Sequence, residues 1–168
     1  LEASFRPRLN SIAGLDFFKE HRNGCCDDWL ITPPEFGPTV GATVVRFSKR
    51  LVNRQGQFAG VLAVAVLPDY LRNFHHEGEA GPHDFVALYL ADGRLVASKL
   101  GGNQPSRGIY IDHPSFAGAQ GVRHEPADVF NDREPRIVAW HRHATLPFVA
   151  VAAVSEADVL AEFEQRVV

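Results

Sequence analysis

From Thr43 to Leu51, apolar and polar side chains alternate. Thr43, Val45, Phe47, Lys49 and Leu51 share one side of the chain, and Val44, Arg46, Ser48 and Arg50 the other. A period of two with β-branched enrichment predicts a half-buried strand carrying one polar-studded face. Asn53-Arg54-Gln55-Gly56 is turn chemistry, because Gly56 is free to take φ > 0. Phe58 to Leu67 is then almost wholly apolar, as expected of a central strand covered on both faces. Pro68-Asp69 opens a short helix through Phe74, with Asp69 as its cap. The polar face of the first strand is the leading candidate for a functional surface.

The same reading extends to both ends. Ile12, Leu15 and Phe18 recur at roughly helical spacing, which predicts a broken helix within residues 1–22. Residues 23–39 are loop-like, with Asn-Gly, Pro33-Pro34 and Gly37-Pro38 around a short apolar piece, Trp29-Leu30-Ile31. Long loops of this kind often bind or close over ligands. A second hairpin runs from Asp84 to Ser98 around the strong turn signal Asp92-Gly93. Residues 101–128 are rich in Gly, Pro, His and Ser, and a helical turn is expected near His113–Ala119. Strands follow over 136–143 and 148–154, joined at Thr145-Leu146-Pro147. Ser155-Glu156-Ala157-Asp158 then fits a helix start with an acidic first turn, and Val159, Leu160, Phe163 and Val167 supply an apolar stripe. Six strands in three sequential pairs, with helices at both ends, predict an α+β domain built on an antiparallel sheet.

Composition narrows the function classes. A chain of 168 residues is most simply one domain, 1–168, with room for a real core. Seventeen basic against twenty acidic residues give a formal charge of −3, so no electrostatic case exists for nucleic acid. No apolar run reaches the roughly 18–20 residues that span a bilayer. The chain opens at Leu1 and contains no Met, which suggests a fragment of a longer protein. Cys25 and Cys26 are adjacent; a bond between neighbours closes a strained eight-membered ring, and two free thiols in a polar loop are expected. No G-x-S-x-G, H-E-x-x-H, Cys/His frame or phosphate-binding Gly loop occurs, so no catalytic residue and no cofactor are assigned.

The segments FFKEHR, WLITPP, VVRFSKRL, NRQGQFAGVLAVAVLPDYL, VALYLADGRLVAS and NDREPRIVAWHRHATLPFVAVAAVSEADVL follow one another along the chain. Together they resemble the extracytoplasmic PAS-like sensor domains called Cache domains. In bacteria such domains stand in front of diguanylate cyclases, histidine kinases of two-component systems and chemoreceptors. The resemblance implies a PAS-like antiparallel sheet of five to six strands, flanked by an N-terminal helix, here truncated, and a C-terminal helix. It further implies a periplasmic, non-enzymatic sensor whose flanking transmembrane helices relay occupancy by a small molecule, such as an amino acid or carboxylate, to a cytoplasmic output domain. The alternative is a structural or dimerisation module of the same kind of receptor, with a homodimer left open.

Candidate ligand-binding residues follow from chemistry and from the resemblance together. An Arg fork binds carboxylate or phosphate at two points beside an aromatic wall that excludes water. Arg22 at the helix end, Trp29 and Thr32 in the loop, and Arg46, Ser48 and Arg50 on one strand face would supply that set if the loop folds over the face. The alternative for Arg46 and Arg50 is solvation, or pairing with acids such as Asp132 and Glu134. Asp132 falls where related sensors place the Asp that binds a ligand ammonium. Tyr89 and His141, with Ser98, Tyr110 and Trp140 behind them, are further lining candidates, although Trp140 also reads as core. His141 and His143 form an HxH pair, a zinc-chelating spacing, but no third ligand sits at a fixed local spacing and no metal site is assigned.

Overall fold

The computed structural model describes residues 11–26, 28–72, 81–101, 104–105 and 108–167. The chain divides into two compact units, Leu1–Pro68 and Asp69–Val168, each holding its own antiparallel sheet.

In the first unit, helix α1 (Asp16–Arg22) precedes β1 (Leu30–Ile31), β2 (Glu35–Gly37), β3 (Ala42–Val52) and β4 (Phe58–Val66). The eleven-residue β3 is the axis of this four-stranded sheet. It pairs with β4 from Val45 to Val52, with β1 opposite Phe47 and Ser48, and with β2 opposite Ala42 to Val44. The β3–β4 turn closes as its sequence predicts. The Asn53 side-chain oxygen accepts from the backbone N–H of Gln55 at 3.0 Å and of Gln57 at 2.9 Å, and Gly56 takes φ +77°.

Three expectations need correcting here. The 23–39 stretch is not all loop, since β1 and β2 lie within it. Nor is β4 a strand covered on both faces: among the described residues it pairs with β3 alone, and Leu62 and Val64 are each 49% exposed. An apolar run reports that a strand can be covered, not that the described residues cover it. The polar side of β3 is covered too: Val44, Arg46 and Ser48 are buried, as is Val45 on the other side, whose far end at Leu51 is exposed. Burial of the polar side is tolerable because each polar group on it finds a partner.

In the second unit, α2 (Pro68–Arg72) starts at the division. There follow β5 (Phe85–Leu90), β6 (Leu95–Leu100), β7 (Gln104–Pro105), β8 (Gln120–Glu125), β9 (Arg136–Arg142), β10 (Phe148–Ser155) and α3 (Glu156–Val167). These strands form a six-stranded sheet in the order β7-β6-β5-β10-β9-β8. The expected PAS-like antiparallel sheet is therefore present, but the 43–66 hairpin belongs to the other sheet and β7 and β8 take its place. The helical turn expected near 113–119 does not form.

Alternation along the strands separates the two faces of this sheet. Phe85, Ala87, Tyr89, Val138, Val149, Val151 and Ala153 are buried on one face beneath Ile109, Phe116 and Phe130 from the 108–130 connection. Ile137, Ala150, Ala152 and Val154 on the other face are exposed. Helix α3 starts where the sequence places it. Ser155 Oγ accepts from the Asp158 N–H at 3.3 Å, and Asp158 in turn accepts from the His83 backbone N–H at 3.1 Å. Among the described residues no helix is long and apolar enough to cross a membrane.

Candidate functional site

The β3 residues singled out from sequence do share one face, and that face is closed by their own chain. Arg46 is 6% exposed, forms an ion pair with Glu35, and holds its guanidinium 4.5 Å from the centre of the Phe17 ring on α1. Its acid is thus the neighbouring Glu35 rather than Asp132 or Glu134. Ser48 is fully buried, donates to the Leu30 carbonyl at 3.3 Å and meets His21 Nε2 at 2.9 Å. Arg50 donates to the His21 carbonyl at 2.9 Å and lies over the Phe58 ring. Thr32 bonds through its backbone N–H to the Arg46 carbonyl and through Oγ1 to Glu35. Trp29 sits near Lys49, which projects from the opposite side of β3. Arg22 is exposed.

In the second unit Asp132 is the counter-ion of Arg136, which is completely buried. Two parallel bonds join them, Nη1 to Oδ1 at 2.8 Å and Nη2 to Oδ2 at 2.5 Å. The same guanidinium donates to the His83 and Glu134 carbonyls and stacks over Phe85 and Phe130. The hydrogen bonds from Arg136 hold the Asp132 carboxyl below the usual carboxylate range. His141 is exposed, and its register partner Ala150 lies on the open face of the sheet. The His143 ring accepts the backbone N–H groups of Thr145 and Leu146.

Of the candidate site residues named from sequence, Tyr89 and Tyr110 line a cavity. Its volume is about 300 Å³, and Tyr89, Leu95, Gly93 and the segment Gly108 to Pro114 form its walls. A second cavity of about 240 Å³ shares Tyr110 to Pro114 and continues to Arg123, Glu125 and Asp128. Backbone bonds fix the shared segment: Ile111 N–H donates to the Val129 carbonyl at 3.0 Å, and Asn131 N–H to the Ile109 carbonyl at 2.8 Å. The Asn131 side chain adds bonds to the Gly108 and Tyr110 carbonyls. Tyr110 stacks within 4.8 Å of Phe130 and contacts Tyr89 edge-on at 6.3 Å. Burial pushes both tyrosine hydroxyls up, so both stay protonated as donors. Asp112 and His113 are exposed at the mouth, and Arg123 and Glu125 form an ion pair in the neighbouring cavity.

This cleft combines an apolar aromatic floor with the Asp112 carboxylate and the His113 imidazole at its rim, a chemistry suited to a small polar molecule. The sequence offers Tyr110 as one lining candidate among several and does not single out Asp112. The usable signal was Tyr110-Ile111-Asp112-His113-Pro114 inside a long, Gly- and Pro-rich connection.

Gly93 tests how the cleft is framed. It sits at φ +88°, and a Cβ there would lie 2.7 Å from the Pro114 carbonyl oxygen. Gly93→Ala is expected to cost about 1–2 kcal/mol, from the left-handed backbone and the close approach together. It should also displace residues 111–114, visible as amide shift changes confined to that segment and the 90–95 turn.

No protein-family model matches the chain, and no curated protein matches it in sequence. Solved structures do match. The extracellular domain of the histidine kinase rpHK1S-Z16 superposes at TM-score 0.65 and 25% identity, over 86% of this chain and 60% of that one. The ligand-binding domain of the Pseudomonas fluorescens chemoreceptor CtaA, solved with L-alanine, gives 0.60 at 18% identity, over 89% and 64%. That of the Pseudomonas aeruginosa PAO1 amino acid chemoreceptor PctB, solved with L-Arg, gives 0.60 at 13% identity, over 98% and 62%. The chain therefore has the PAS-like fold of extracellular sensor domains and spans about three-fifths of the length of these relatives.

Proposed function

We propose that the chain is the extracytoplasmic, non-catalytic sensor part of a membrane-anchored signalling receptor, and that it binds a small amino acid or carboxylate. The single observation that carries this reading is the cleft of about 300 Å³ under Tyr110 to Pro114, on the covered face of a sheet whose fold is shared with chemoreceptor ligand-binding domains. Tyr89 would contact the ligand from below, with Asp112 and His113 at the mouth. In this reading Arg46, Ser48, Arg50 and Asp132 serve as framework, since each is engaged with a neighbour.

The route outward is short. Tyr89 on β5 pairs in register with Val149 on β10, and β10 runs directly into α3. A ligand that binds one arrangement of the 108–114 segment better than another would bias α3, because occupancy shifts an equilibrium only through differential affinity. A thermal-shift screen of amino acids, short carboxylates, purines, polyamines and metal ions tests the proposal. A true ligand at about 100 times its Kd is expected to stabilise the protein by about 2.7 kcal/mol.

A specific observation favours a second reading, a helix-packing or dimerisation module. On α3, Val159, Leu160 and Phe163 are 44%, 55% and 66% exposed. A screen without a hit, together with a dimer in sedimentation that Phe163→Ser abolishes, would favour it over the ligand-binding reading.

A further inference from the structure

We propose that His21, Cys25 and Cys26 form a redox-gated binding site for a thiophilic metal ion, for which Zn²⁺ is the probe. The expectation of two free thiols is corrected by the structure, in which Cys25 and Cys26 are joined as a disulfide. His21 Nδ1 and the two sulfurs all lie within 4.8 Å of one another, the group of three His, Cys or acidic side chains among the described residues with metal-binding proximity. A tetrahedral zinc ion bound to two thiolates and an imidazole needs separations of about 3.5–3.8 Å, so on reduction the two bonded sulfurs must move apart, while the 3.9 Å from His21 Nδ1 to Cys26 Sγ already approaches that value.

The orientation of His21 is an independent pointer. The imidazole is fully buried. Ser48 Oγ bonds the Leu30 carbonyl at 3.3 Å and meets His21 Nε2 at 2.9 Å, a contact in which Nε2 donates when it carries the ring proton. In that tautomer the Nδ1 lone pair faces Cys26 Sγ at 3.9 Å. A ring nitrogen fixed as donor to a neighbour while the other faces thiolates is the arrangement that orients metal-bound histidines. Arg50 bonded to the His21 carbonyl anchors this end of α1 to β3. Cys25 is exposed and Cys26 half-buried, so reductant and ion have access.

The chemistry balances as follows. A dithiol reductant gives two electrons and two protons to the Cys25–Cys26 disulfide, which opens to two thiols while the reductant becomes a disulfide. Binding of M²⁺ then displaces one proton from each thiol, and His21 contributes a neutral lone pair. Three protein ligands leave a fourth position for water or an external ligand. The site lies wholly in residues 21–48 and does not depend on the cleft under Tyr110.

The test uses the whole chain, reduced with dithiol, desalted under nitrogen and titrated with Co²⁺. The expected result is one equivalent bound, with a thiolate-to-cobalt charge-transfer band that Zn²⁺ abolishes by displacement. The oxidised protein, which needs no substitution, should show no such band. The Cys25→Ser/Cys26→Ser protein should lose binding. Ser48→Ala, which removes the partner of Nε2 together with the bond to the Leu30 carbonyl, should weaken affinity roughly 10–100-fold. A charge-transfer band of equal strength before and after reduction, its survival in the double serine protein, or a reduced and folded protein that takes up no Co²⁺ would overturn the proposal.

Discussion

Asp132→Ala is expected to lower the unfolding free energy by about 3–5 kcal/mol, as for other buried ion pairs that lose one partner. The effect is large because it strands a charge. Arg136 is completely buried, whereas the Asp132 side chain is 33% exposed. Removing the acid leaves a guanidinium among Phe85, Phe130 and two carbonyls without its paired carboxylate. Removing the base leaves a carboxylate that water can reach. Arg136→Met should therefore cost less, about 1–3 kcal/mol, mostly from the carbonyls that lose their donor. Urea unfolding of the two variants measures this asymmetry. The sign with pH follows from the depressed Asp132 pKa. Its contribution is fully present above the unfolded value of about 3.9 and is lost as pH falls through the lower folded value. Wild type should lose stability below about pH 4, and Asp132→Ala should show a flatter acid limb.

Phe130→Ala is expected to cost about 3–5 kcal/mol, the usual range for emptying an aromatic site in a core. Phe130 is 0% exposed and meets the rings of Tyr110 at 4.8 Å and Phe85 at 6.1 Å, with the Arg136 guanidinium 4.9 Å from its centre. One substitution thus removes core volume, a cation–π contact and the wall against which Tyr110 is held. Phe130→Leu keeps most of the volume and should cost clearly less. If the cleft depends on Tyr110 being held there, Phe130→Leu should weaken ligand binding more than its modest loss of stability would suggest. Unfolding and ligand titration of the same two proteins separate these effects.

The framework was readable where local chemistry decides local structure. Asn53 to Gly56 and Asp92-Gly93 announce their turns, and alternation along 136–142 and 148–155 announces β9 and β10. Reading failed where a partner distant in sequence decides the outcome. β8 and the 108–114 segment have weak patterns of their own and are held by β9 and by residues 129–131. The apolar run of β4 was legible, but whether anything covers it was not. At the sites the same limit applies. Arg46, Ser48 and Arg50 were correctly assigned to one face, yet no spacing rule reports that His21, Glu35 and the Leu30 carbonyl occupy it. Asp132 and Arg136, four residues apart outside a helix, also gave no signal of pairing. Ion pairs between loops and strands depend on the folded path of the chain rather than on a periodic pattern.

The central claim is that a small ligand sits under Tyr110 to Pro114, and amide NMR of the uniformly labelled chain tests it most directly. The common L-amino acids and short carboxylates would be added in pools. The account expects at least one pool to shift the signals of Tyr89, Gly93, Leu95 and residues 108–113 in a saturable manner, while residues 44–50 on β3 stay in place. Saturable shifts centred on Arg46, Ser48 and Arg50 with the 108–113 signals unmoved would contradict it, as would a spectrum that no pool perturbs.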